Sequence, residues 1–209
     1  MKTDLKKQLD GYTAPRGSFS IVQVPPLTYL LADGRGDPNT SPVYQEAVTA
    51  LFTLAYKVKF LSKRELGHDY VVMPLEGLWW SEDLAMFTSS RDKSRWSWTL
   101  MNLVPDWITA EHLDAVRAAL ARSAGAASLG RVRLERYEEG LSVQTLHVGP
   151  FDDEGPVLEA MHHEFLPAHA LRMTGRHHEI YLSDPRRTDP SRLRTILRQP
   201  VARLAELRT

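Results

Sequence analysis

Apolar positions along this chain recur with two periods, and the switches between them predict an order of strands and helices. Residues 20–24 and 27–32 are short branched and aromatic runs split by Pro25-Pro26, and they read as two strands. Gly34, Gly36 and Asp37-Pro38 mark a loop, after which Ser41-Pro42 opens a helix. Ser41 suits the N-cap and Pro42 the first turn. The helix runs to about residue 61, with Val43, Ala47, Leu51, Leu54 and Val58 at core spacing. Strands are expected at 70–73, 76–80 and 96–104, with a polar loop or short helix at 81–93. Thr109 resembles an N-cap for a helix to about residue 123, with Leu113, Val116 and Leu120 as its apolar period.

After a small, polar loop at 125–130 the pattern begins again. Residues 132–137 and 141–148 read as strands around a turn at Glu138-Glu139-Gly140. Gly149-Pro150 with Asp152-Asp153 echoes Gly36-Asp37-Pro38, and Pro156 enters the next helix as Pro42 did. That helix carries Val157, Leu158, Met161 and Phe165. Strands at 177–182 and 195–199 follow, in the positions of 77–81 and 99–104. The order strand-strand-helix-strand-strand thus recurs, although an unrelated α+β chain can be phased in the same way. The fold class expected is α+β: tandem duplicated modules with antiparallel sheets, each backed by its helix, and a central ligand cleft. The modules are expected at 18–108 and 131–202, joined by a helix at 109–124. Residues 1–17, polar and carrying Gly11, Pro15 and Gly17, read as a flexible N-terminal arm.

Composition narrows the function classes. The chain has 209 residues, 43% hydrophobic and 25% charged, with 26 Lys+Arg balanced by 26 Asp+Glu. A formal net charge of zero gives no pull toward nucleic acid or an anionic membrane. The absence of cysteine excludes disulfides, a thiolate nucleophile and a sulfur-ligated zinc site. The first ten residues lack a signal-peptide core, and no apolar run suits a membrane span, so a cytoplasmic location is expected. The sequence has no GxSxG elbow, no GxxxxGK[ST] loop and no GxGxxG after a strand, and it calls for no cofactor.

Candidate chemistry lies in carboxylates and aromatic rings. Glu179 and Tyr181 sit two apart on one strand and so share a face. A carboxylate there, beside Ile180 and Leu182, needs a cation, a donor or a ligand, and an apolar setting suits a general acid or base. Glu76 lies between Leu75 and Gly77. Glu154 precedes a helix, where with Asp152 and Asp153 it also reads as an acidic cap. His147, late in its strand, is a candidate donor. All five tryptophans fall between 79 and 107. Trp79 and Trp80 point to opposite faces, while Trp96 and Trp98 share one; they read as a large aromatic core or as the lining for a flat ligand. The pairs His162-His163 and His177-His178 look ligand-rich, but adjacent residues diverge and neither pair chelates alone, so no metal is assigned.

Four blocks resemble the GyrI-like small-molecule-binding domain family over about residues 18–202. They are Met73-Pro74-Leu75-Glu76-Gly77-Leu78-Trp79-Trp80, Pro105-Asp106-Trp107-Ile108-Thr109, His147-Val148-Gly149-Pro150-Phe151-Asp152-Asp153-Glu154, and the long run from Gly175 to Arg187. The resemblance implies a single domain over 18–209 built of two modules around a ligand cleft. The chain is similar to the stand-alone branch, since no helix-turn-helix arm is evident. For that branch the resemblance implies binding of planar hydrophobic or cationic small molecules, and in some members a cofactor-independent hydrolase that opens the cyclopropane of DNA-alkylating antibiotics. By that likeness Glu179 and Glu154 place and polarise the water, and Tyr181, Trp79, Trp80, Trp98, Trp107, His147 and Glu76 hold the ligand. Other relatives imply a non-catalytic multidrug-binding or sequestering module. The family's gyrase-inhibitor namesake adds a third possibility, docking on a protein partner of unknown identity.

Overall fold

In a computed structural model the chain is described over residues 2–81, 93–122 and 125–204. The expectation for 81–93 falls largely outside these. In chain order the strands are β1 (Lys2–Thr3), β2 (Ser20–Val24), β3 (Leu27–Arg35), β4 (Asp69–Tyr70), β5 (Glu76–Trp80), β6 (Ser97–Val104), β7 (Arg133–Tyr137), β8 (Gly140–Val148), β9 (Leu171–Met173), β10 (His177–Tyr181) and β11 (Arg194–Arg203). The helices are α1 (Pro42–Leu61), α2 (Ala110–Ala119), α3 (Ala126–Leu129) and α4 (Gly155–Ala160), which runs through a wider turn at Met161–Phe165 into α5 (Leu166–Ala168). Among the described residues no helix is long and apolar enough to cross a membrane.

The chain divides into two compact units, Met1–Gln8 with Leu27–Tyr137, and Leu9–Pro26 with Glu138–Thr209. Among the described residues the main sheet of the first has the order β7-β3-β6-β5, all antiparallel. The second has the order β2-β8-β11-β10, also antiparallel, with β9 on the far end of β11. The α+β fold with repeated antiparallel sheets is therefore as the sequence pattern predicts. Each sheet draws its outer strand from the other half of the sequence. β2 precedes β3 by two residues yet pairs with β8, and β7 precedes β8 yet pairs with β3. The link between β2 and β3 explains the first separation. A two-residue hairpin needs positive φ, and Pro25-Pro26 locks φ near −65° at both positions. Between β7 and β8 the chain passes Glu138-Glu139 to Gly140, whose φ of +72° suits glycine.

Helix α1 follows its sequence signals. Ser41 Oγ accepts from the Tyr44 amide at 3.4 Å, and Pro42 stands in the first turn. Ala50, Leu51, Leu54, Ala55 and Val58 are buried, whereas Val43, expected in the core, is exposed in the first turn. The tip of β3 meets the sheet through a contact only glycine permits. Gly34 pairs with Trp98, and a Cβ at 34 would fall 2.1 Å from the Trp98 ring. Three other expectations change. The strand at 70–73 shrinks to β4 because the Asn102 side-chain amide bonds the Met73 and Pro74 carbonyls at 2.7 and 3.2 Å. Residues 126–129 form α3 rather than loop, and β9 lacked a visible strand pattern.

The second unit is organised around a buried guanidinium. In register across the sheet stand Ser20, Gln144, Arg198 and His178, so their side chains share one face. Arg198 Nε donates to Gln144 Oε1 at 2.9 Å and Nη1 to Glu139 Oε2 at 2.7 Å, while Nη2 donates to the Gly11 carbonyl. His178 Nδ1 lies 2.9 Å from Glu139 Oε1. Residues 9–17, read from sequence as part of a flexible arm, are held here. Besides Gly11, the Thr13 carbonyl accepts from Gln144 Nε2 at 2.8 Å, and the Pro15 carbonyl from the Leu146 amide at 2.8 Å. The sequence concealed this because the bonds use backbone carbonyls, which any residue offers. On the opposite sheet face Val143, Leu197 and Val201 pack with Met161, Leu166 and Leu171, under the helical segment.

These contacts give three stability predictions. Gly34→Ala forces a methyl into the Trp98 ring and should cost on the order of 1–3 kcal/mol in denaturant unfolding. Burial would raise the Glu139 carboxyl, but His178 and Arg198 outweigh it and hold the carboxyl down at about 2, against an ordinary 4.5. A depressed carboxylate gives stability that is complete above 4.5 and lost as pH falls toward 2. Unfolding followed against pH should show this loss in the wild type, and Glu139→Gln should flatten it at reduced overall stability. Arg198→Leu strands the buried carboxylate and should destabilise by roughly 3–5 kcal/mol at neutral pH.

Candidate functional site

Strand alternation divides β10 into two chemistries. His178 and Ile180 face the Arg198 side, where each carboxylate oxygen of Glu139 has a hydrogen-bond partner, His178 Nδ1 for one and Arg198 Nη1 for the other. That network ties β8, β10 and β11 together and is structural. His177, Glu179 and Tyr181 face the other way, over the side covered by the helical segment. Register extends this face into rows. Tyr181 pairs with Thr195, which pairs with His147; Glu179 pairs with Leu197, which pairs with Thr145. Glu179, Tyr181 and His147 thus belong to one face of one sheet, as the Glu179–Tyr181 spacing predicts.

The groups on this face are oriented by their neighbours. Glu179 is 9% exposed, and His177 Nε2 lies 3.5 Å from its Oε1. Tyr181 meets the Phe151 ring edge-on, with centroids 5.6 Å apart and planes at 80°. His147 Nε2 lies 3.0 Å from the Pro150 carbonyl, which orients its ring toward the turn at Phe151–Asp153. Glu154 ends that turn and is 5% exposed. Its side chain caps no amide of α4, so the acidic-cap role open to it in the sequence is not the one it takes. A carboxylate buried ahead of a helix and one buried in a strand of the same unit offer acid–base groups next to phenol and imidazole.

His162, on the wider turn above this face, has a buried Nε2 with no hydrogen-bond partner among the described residues. Burial, then the nearby His177 and His163, push it down to about 4.

The remaining sequence candidates lie in the first unit and divide among three places. Trp79 and Trp98 are register partners on the α1 side, where Tyr44 stacks on Trp79 at 6.2 Å and meets Trp98 edge-on at 5.2 Å. Trp96 joins them, 5.8 Å from Trp79. Glu76 and Trp80 alternate to the opposite face of β5, with Glu76 fully buried opposite Met101 and Trp80 half-buried opposite Ser97. Trp107 lies at the other end of α1, roughly 27 Å along the axis from Tyr44 at 1.5 Å per residue. Its Nε1 donates to Ser62 Oγ at 3.0 Å and its ring meets His68 and Tyr70. The run of tryptophans in sequence is therefore not one aromatic wall.

Sequence reasoning missed His177, Phe151 and Tyr44 as partners. His177 had a signal, since it shares the face of Glu179 by alternation. Phe151 and Tyr44 had none. Among the described residues no group of three or more His, Asp or Glu is placed to hold a metal.

Comparisons with known proteins agree with this architecture. A profile of the GyrI-like small-molecule-binding domain matches residues 18–202. The crystal structure of an uncharacterized conserved protein from Listeria innocua is 39% identical, covers 96% of this chain and 100% of its own, and superposes with a TM-score of 0.87. A hydrolase from Listeria innocua is 38% identical over 96% of this chain and 100% of its own, with a TM-score of 0.83. The C-terminal domain of EcmrR shares the fold alone, at 10% identity over 89% of this chain and 98% of its own, with a TM-score of 0.55. No curated protein sequence matches.

His162 gives a pH prediction. A buried neutral imidazole with a lowered affinity for protons favours the fold fully above an ordinary 6.5, and that share is lost as pH falls toward 4. At 1.36 kcal/mol per unit the loss is at most about 3 kcal/mol. His162→Phe should remove the slope between those limits in thermal unfolding followed against pH.

Proposed function

The chain belongs to the GyrI-like small-molecule-binding domain family, and we propose that it binds flat hydrophobic molecules and hydrolyses the cyclopropane of DNA-alkylating antibiotics, a detoxification. The observation that carries this reading is Glu179, buried in β10 on the face it shares with Tyr181 and His147. A full-length likeness to a hydrolase at 38% identity supports it. The Glu179 carboxylate takes a proton from water as the water oxygen bonds to a strained ring carbon. The ring C–C bond breaks, and its electron pair moves through the conjugated system to the ligand carbonyl oxygen. Tyr181 donates its proton to that oxygen, which becomes a phenol, and the proton taken by Glu179 returns through solvent to Tyr181; His147, whose Nε2–H is given to the Pro150 carbonyl, stands on the same face. The net change is addition of one water. Glu154 helps to place the water, and the hydrophobic face of the ligand rests on aromatic side chains.

A cyclopropane-bearing alkylator incubated with the protein should gain one water by mass spectrometry, faster than in buffer. Glu179→Gln should lower that rate by about 10²–10⁴-fold, the usual share of a general base. Full activity in Glu179→Gln would defeat the assignment. A second reading, binding without turnover, is favoured by the description of the family as a small-molecule-binding domain. Tryptophan fluorescence quenched saturably by a planar cationic dye, with no product from any alkylator, would select it.

A further inference from the structure

Two adjacent histidines on β10 have opposite fates. His178 is taken up by Glu139 on the Arg198 side. His177, on the other face, has its Nε2 3.5 Å from Glu179 Oε1, and the two residues are 5% and 9% exposed. They sit at i and i+2 on a strand held on one side by β11, so the backbone places both side chains on one face as neighbours. His162, on the helical segment, lies near enough to His177 to feel its charge, although burial is the first cause of its lowered proton affinity. A distance of 3.5 Å is long for a hydrogen bond, as uncomplexed sites often are before a ligand tightens them. Tyr181, the next residue on this face, is engaged by Phe151 instead.

Resting on the reading that Glu179 is the base, we propose that His177 is its positioning residue. Nε2–H of His177 holds Oε1 of Glu179, which leaves the other carboxylate oxygen to take the proton from water. His177 itself transfers no proton and touches no reacting atom. Its effect is on orientation, so it acts on kcat and leaves ligand affinity alone.

The test has two arms. In unliganded protein at fixed pH, the ¹⁵N shift of His177 Nε2 should be that of a protonated nitrogen in hydrogen bond to a carboxylate, and it should change in Glu179→Gln. With a cyclopropane-bearing alkylator as probe, His177→Phe should lose kcat by up to about 100-fold at nearly constant KM, the scale of a misplaced group. His177→Gln keeps an N–H donor and should restore most of it; circular dichroism checks that both variants fold. An Nε2 signal indifferent to Glu179→Gln, or a folded His177→Phe with full kcat, overturns the positioning role alone. No turnover by the wild type overturns the hydrolase reading and this role with it.

Discussion

Arg198 places a full positive charge inside the second unit, and much of the surrounding structure is what that charge requires. An unpaired guanidinium in the interior costs several kcal/mol, so the charge needs partners. Each of its three nitrogens finds one, from three parts of the chain: Glu139 at the entry to β8, Gln144 within β8, and the Gly11 carbonyl in the N-terminal segment. The same carboxylate then holds His178. One ionic cluster thereby fixes the strand following the link from β7, the pairing of β10 with β11, and the course of residues 9–17. A one-residue slip of β10 would send His178 to the other face and bring Glu179 against Arg198. The network thus also decides which face receives Glu179, and so it bears on the candidate site without belonging to it.

The two units show what one strand order becomes with different side chains. In each, a nine-residue strand, a helix, a five-residue strand and a long return strand build an antiparallel sheet. In the first, the helix-side contacts are rings, with Tyr44 against Trp79 and Trp98, and Gly34 leaving room for the indole. In the second, the helix-covered face of β10 carries His177, Glu179 and Tyr181. Aromatic packing gains by excluding every polar group, whereas a carboxylate on a covered face persists only with partners. The acid–base character of the second unit is therefore a property of its side chains and not of the shared topology.

Part of the candidate site was legible from residue spacing. Glu179 and Tyr181 share a face because strand side chains alternate, and no tertiary information is needed to say so. The addition of His147 to that face was not legible, since it depends on the register of β8 and β10 across β11. The tryptophans read in sequence either as a core or as a ligand lining, and their grouping depends on tertiary structure in the same way: Trp79, Trp96 and Trp98 gather near Tyr44, while Trp107 follows a turn after β6 and packs at the far end of α1. Glu154 was ambiguous because a carboxylate before a helix reads first as a cap, and only its burial without a capping bond separates the two roles.

Local chemistry in the sequence was enough for the elements: the N-cap and first-turn proline of α1, the strands broken by proline, and the repeated order that makes the fold α+β. These depend on neighbours within a few residues, where sterics and hydrogen bonding act directly. The partner of each outer strand was decided elsewhere. β2 and β7 each present ladder groups that any strand could satisfy, and their choice turns on links such as Pro25-Pro26 and on long-range burial of charge at Arg198. Backbone hydrogen bonds carry no residue code, so pairing, register and the face on which a carboxylate is buried emerge only when distant segments compete for the same core.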